Sequence, residues 1–223
     1  VGLTRSVIVG GHSRVSSCRR ASAQIVPYAA PDHPLAPAHV ALVRSQRDNG
    51  AMALYALGDK TPSIDPTAFV HPDAVIIGDV RIGPESSVWP TAVLRGDHGT
   101  IVVGSQTSIQ DGTIVHCTDT QDTIIGDRCV VGHNAHLEGC RVDDDSLIGS
   151  GSVLLHGVRV GPEALVGAGA VVSPGTVVPP HARALGVPAR ITQNVVDAGE
   201  FTANVEVYCH NAHWYASDMR RLD

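Results

Sequence analysis

Large rings are scarce in this chain. Aromatic residues make up 4 % of its 223 positions, with only two Phe and two Trp. That shortage argues against a globular core packed around Phe and Trp, and it suits a narrow interior filled by Val, Ile and Ala. Basic charge is short as well: 16 Lys and Arg stand against 22 Asp and Glu, for a formal charge of −6, with no basic block. Nucleic-acid binding therefore lacks its electrostatic footprint. No apolar run approaches the roughly 18–20 residues that a membrane helix needs, so no membrane association is expected. The five cysteines, Cys18, Cys117, Cys129, Cys140 and Cys209, have neither the spacing of a disulfide framework nor that of a paired-cysteine zinc site, which favours a reducing, cytoplasmic setting.

What the chain has in abundance is a period of six. An aliphatic residue recurs at Ile64, Val70, Ile76, Ile82, Val88 and Leu94. The series resumes at Val103, Ile109 and Val115, then at Ile125, Val131 and Leu137, and runs from Val142 to Val178. Four residues after most of these comes a small or β-branched residue such as Ala74, Ala92, Thr107, Cys129 or Ala135. Six matches neither the helical period nor a long alternating strand. It fits short strands joined by tight turns, each pointing one large apolar side chain inward, with successive coils stacking into an all-β solenoid.

Three domains of behaviour are expected. Residues 1–51 show no period and are read as a disordered or non-native extension, residues 52–183 as the β-helix, and residues 184–223 as an exit turn followed by an amphipathic helix. In the last segment Phe201, Val205, Tyr208, Ala212, Tyr215 and Met219 form one apolar stripe, Asp197 and Glu200 resemble a helix start, and Arg220 with Arg221 suits a helix end. The stripe is expected to lie on the coil or on a neighbouring chain.

The six-residue phase also fixes where polar side chains point. Val115 and Leu137 are 22 positions apart, one coil of 18 plus a four-residue insertion around Cys117–Asp122, so they should stack on the same face. His116 and Glu138 each follow their inward residue by one and therefore point outward, one rung apart. Stacked strands lie about 4.8 Å apart, close enough for two side chains to share a metal ion. His136 competes with Glu138 for this role, but stacks on Ile114 rather than His116. His133 sits nearer a corner, so a neighbouring subunit has to supply it as the third ligand. A second insertion, around Arg95–Gly99, is expected to emerge as an external loop. Arg95 and Asp97 suggest an ion pair at a subunit contact. Asp111 suggests a residue that orients a ligand histidine, while Gln110 falls one coil side earlier on the adjacent face. His98 and Asp119 are placed in the inserted loops, and His156 and His181 on the surface.

The motifs VLRGD (Val93–Asp97), IQDGTIVH (Ile109–His116) and VGHNAHLEGC (Val131–Cys140) give the chain from about Met52 onward a resemblance to the gamma-class carbonic anhydrases and their hexapeptide-repeat relatives. The resemblance implies a left-handed parallel β-helix with a C-terminal α-helix. It also implies a homotrimer with zinc sites at subunit interfaces and reversible hydration of CO2 to bicarbonate by metal-bound hydroxide. It carries the metal histidines onto His116 and His133, the subunit-joining pair onto Arg95 and Asp97, and the Gln-Asp pair onto Gln110 and Asp111. Two positions depart from the pattern: Glu138 stands where a third metal histidine belongs, and His98 where the family has a proton-shuttling glutamate. A carboxylate ligand cancels more of the ion's charge than imidazole does, which implies weak hydration activity and room for Fe2+ or Co2+ in place of Zn2+. Two other classes fit the repeat: an acyltransferase using an acyl-CoA donor, and a catalytically inactive scaffold.

Overall fold

A computed structural model describes residues 52–222; the reading of residues 1–51 lies outside them. The six-residue period becomes a three-sided parallel β-helix. One side is stacked from Val75–Ile82, Val93–Val103, Ile114–His116, His136–Glu138, Val153–Leu154 and Val171–Val172, each in parallel register with the next. On it Ile76, Leu94, Val115, Leu137, Leu154 and Val172 form a continuous inward column without exposed surface. The second side carries Ile82, Val103, Ile125, Val142, Val160 and Val178, and the third Val70, Val88, Ile109, Val131, Ile148 and Val166. The stacking explains the scarcity of rings: an interior one side chain deep per rung has room for branched aliphatics, and the small residues fill its corners.

Some corner positions are polar yet buried, and each of four hydroxyls meets a backbone acceptor. Ser86, Thr107, Thr113 and Ser146 donate to the carbonyls of Gly104, Gly126, Gly132 and Gly161 at 2.5–3.0 Å. These bonds satisfy groups that would otherwise cost about 1–3 kcal/mol each to bury.

The insertion at Arg95–Gly99 does not leave the coil as a loop. It is absorbed into one long strand, Val93–Val103, that bends across a corner and pairs along its length with Val75–Ile82. The cause is a close backbone approach: a Cβ on Gly78 would lie 2.2 Å from the Gly96 carbonyl oxygen, and Gly78 has φ +80°. Only glycine fits there. The register slips between Gly78 and Val80, which takes up the extra residues as a bulge. The second insertion does form a turn, closed by a hydrogen bond from the Thr118 amide to the Gln121 carbonyl.

After the last coil, Arg183–Leu185 and Arg190–Thr192 pair antiparallel, so the expected exit turn is a hairpin. The helix runs Thr202–Asp218. Asp197 and Glu200 belong to the turn before it, where the Asp197 amide donates to Glu200 Oε2 at 3.0 Å, and Arg220 and Arg221 lie beyond its end. The helix start assigned to Asp197 and Glu200 is thus corrected, because the chain still makes a turn at Gly199 (φ +74°) before the helix begins, while Arg220 and Arg221 directly follow the C-cap Met219. The apolar stripe is as expected. Val205 and Ala212 are buried, and Tyr208, Tyr215 and Met219 pack with Phe69 and Trp89 on the third side of this same chain's coil. Trp89 stacks edge-on with Tyr215 at 5.0 Å, while its Nε1 donates to Ser87 and Ser108 hydroxyls. The aromatics absent from the interior are spent on this external seam.

Candidate functional site

The first side of the coil is free of the helix, and its outer surface carries a column of ionisable residues. Glu138 pairs in register with His116, and His116 with Arg95. Side-chain contacts follow that ladder. His116 Nδ1 lies 2.8 Å from Glu138 Oε1 on the rung above, and Nε2 lies 2.9 Å from Asp97 Oδ1 below. Arg95 Nη1 holds the other Asp97 oxygen. Two ionised carboxylates can both accept from one imidazole only if the ring donates from both nitrogens.

These contacts set the acidity of the carboxyls. Partial burial works against ionisation of Asp97, but hydrogen bonds from His116 and Arg95 outweigh it and hold the carboxyl down at about 2. The His116 bond also lowers Glu138 below its ordinary value, more than burial raises it, with His136 adding to the effect. Both carboxylates are therefore anionic at neutral pH, as a cation site requires.

The remaining candidates fall in three places. His98 and Asp119 meet each other, Nδ1 to Oδ1 at 2.5 Å, and the His98 ring lies 6.3 Å from that of His116, edge-on. His133 sits at the corner after Val130–Val131, away from His116 and Glu138, and its Nδ1 is 2.9 Å from Asp111 Oδ2. Gln110 is only 3 % exposed, on the third side, so it does not join the outward column of its own chain. Among the described residues, no three His, Cys, Asp or Glu side chains stand ready to hold an ion. The donors fit a divalent ion in kind: one imidazole and one ionised carboxylate on adjacent rungs, with a second imidazole held by its Nδ1 so that Nε2 is left to ligate.

Two residues near the site escaped the sequence reading. Lys60, from the opening turn, donates to the carbonyls of Asp97 and His98 at 2.5 and 2.8 Å and so ties down the bent strand. A contact across 37 residues leaves no local signature. His156, expected to be plain surface, has its Nε2 3.5 Å from Glu138 Oε2. Coil counting puts Leu154 on Leu137, which leaves His156 one position past the rung of Glu138, so the spacing alone does not bring the two together.

A coil of hexapeptide rungs with an outward His-carboxylate ladder defines a class, and comparison with known proteins narrows it. The model for the bacterial transferase hexapeptide (six repeats) matches residues 122–156 and 139–174. Carnitine operon protein CaiE of Escherichia coli K12 is 42 % identical over 146 residues, covering 66 % of this chain and 74 % of that protein. Gamma carbonic anhydrase 2, mitochondrial, of Arabidopsis thaliana is 50 % identical over 103 residues, 44 % of this chain and 37 % of that one. The crystal structure of a hexapeptide transferase family protein from Anaplasma phagocytophilum superposes with a TM-score of 0.69 at 32 % identity, covering 73 % of this chain and 98 % of that chain. The chain belongs to the hexapeptide-repeat, left-handed β-helix family that includes the gamma-class carbonic anhydrases. Among the described residues no helix is long and apolar enough to cross a membrane.

Proposed function

We propose that the chain is a gamma-carbonic-anhydrase-like metal protein of the cytoplasm. It works as a homotrimer in which His116 and Glu138 of one subunit and His133 of a neighbour hold a divalent ion. The observation that supports this is the stacking of Glu138 on His116, with 2.8 Å between Nδ1 and Oε1. His136 is the weaker candidate for the third donor, because it pairs with Ile114 and not with His116.

When bound, the ion would supply an acidified water to attack the carbon of CO2. This chain's residues do the rest. Asp97, fixed by Arg95, holds the His116 ring upright between the rungs, and Asp111 fixes the tautomer of His133. The pair His98–Asp119 lies at the edge of the site, where it can pass a proton to solvent. Glu138 has the opposite effect on the chemistry. Its full negative charge would offset part of the ion's, so hydration at neutral pH is expected to be slow. The same carboxylate suits iron or cobalt as well as zinc.

Metal analysis after gentle purification, followed by stopped-flow CO2 hydration with Zn2+, Fe2+ and Co2+, tests the reading. Stoichiometric metal with weak hydration is expected, and replacement of Glu138 by His should raise the rate. A fast zinc enzyme, or a chain that takes up no metal, contradicts it. One observation favours a second reading. The family model and the Anaplasma phagocytophilum protein are described as transferases. Thermal stabilisation by coenzyme A and not by zinc would select an acyl-CoA-dependent acyltransferase. Full metal occupancy with neither activity would leave a scaffold.

A further inference from the structure

Glu138 has two oxygens, and only Oε1 is engaged by His116. Oε2 faces two more imidazoles. His136 Nε2, on the same strand, and His156 Nε2, at the corner of the next coil, each lie 3.5 Å from it. Neither distance is a good hydrogen bond, for which about 2.7–3.2 Å is usual. It is the separation of two donors sharing an ion: ligands about 2.1 Å from a tetrahedral zinc stand about 3.4 Å apart.

Glu138 is followed by Gly139, at φ +59°, and a Cβ there would come within 3.3 Å of His156 Cδ2. The positive φ favours glycine there, and a side chain would crowd Gln121 first and then the His156 ring. The corner backbone is pinned as well, with the Gly157 amide donating to the Gly139 carbonyl at 2.7 Å and the Gly175 amide to the His156 carbonyl at 2.9 Å. All three side chains reach solvent, with 36 % of His136, 48 % of His156 and 24 % of Glu138 exposed, so an ion can enter.

We propose that His136, Glu138 and His156 form a second divalent-cation site within a single chain, a two-histidine, one-carboxylate set for zinc, cobalt or ferrous iron. Both Nε2 atoms already stand on the same carboxylate oxygen, and the three side chains, all reached by solvent, would close around the ion as it binds. Such a set leaves open positions for water or a small anionic ligand. The inference depends on the reading above only in sharing Glu138, which would then bridge two ions, Oε1 toward His116 and Oε2 toward His136 and His156.

Zinc stoichiometry on the intact chain, by titration against a chromophoric chelator with Co2+ spectra as a second readout, tests it. Wild type should bind two ions per chain. His136→Ala/His156→Ala should lose one, with affinity at that site falling at least tenfold, and His133→Ala should lose the other. If wild type binds one ion that the double variant abolishes and His133→Ala does not, this inference stands and the interface reading fails. If zinc binding and the cobalt spectrum are the same in the double variant as in wild type, the inference is overturned. Both histidines are surface residues, so circular dichroism should confirm an unchanged fold. His156→Gln, which keeps the bulk but not the ligand, should lose the ion as His156→Ala does.

Discussion

Replacing Asp97 by Asn tests the ladder at its base. The carboxyl drops from its ordinary 3.8 to about 2 on folding. At 1.36 kcal/mol per pKa unit that drop corresponds to about 2.4 kcal/mol. Asp97 is largely covered, with 16 % of its side chain exposed, but Arg95 is 43 % exposed, and solvent screening trims the figure to about 1–2 kcal/mol. The sign follows from the direction. A carboxyl more acidic in the folded state stabilises it fully above about pH 4, and loses that contribution as pH falls through about 2. Asp97→Asn should therefore melt lower than wild type at pH 7, by several degrees at about 2–4 °C per kcal/mol for a chain of this size. The gap should close between pH 4 and pH 2. Thermal melts followed by circular dichroism across that range give the answer. A difference that stays constant down to pH 2, or no difference at pH 7, refutes the assignment of the charge to the His116–Asp97–Arg95 contact.

Other consequences are quickly checked. Leu137→Ala removes a fully buried side chain between Val115 and Leu154 and should cost about 2–5 kcal/mol in urea unfolding. Gly78→Ala would drive a methyl onto the Gly96 carbonyl, so it should lower the melting temperature and, by displacing the strand that carries Asp97, weaken metal affinity too. Burial pushes the Cys129 and Cys140 thiols up to about 12. Alkylation mapped by mass spectrometry at pH 8 should leave both unlabelled until the chain unfolds.

How much of this was legible beforehand depends on which residues are asked about. The stacking of Glu138 on His116 follows from counting, because a solenoid converts sequence distance into height and a single four-residue insertion is easily subtracted. The helix stripe was legible for the same reason of period. The bend through Arg95–Gly99 was not, since it depends on two glycines on neighbouring rungs approaching within backbone contact. Nor was Lys60, whose partners lie two coils on. His156 lies between these cases: its height was countable, but the coil side from Leu137 to Val142 is one residue short, and that slip hid how near its ring comes to Glu138.

The claim that His116 and Glu138 work with a neighbour's His133 is tested most directly by mixing chains. Trimers of His116→Ala alone, or of His133→Ala alone, should each lack the interface ion. Coexpression of the two should produce some interfaces where an intact His116–Glu138 pair faces an intact His133, and zinc content should rise above that of either variant by itself. Mixed trimers that bind no more zinc than the single variants would show that the ion, if held at all, is not shared between subunits.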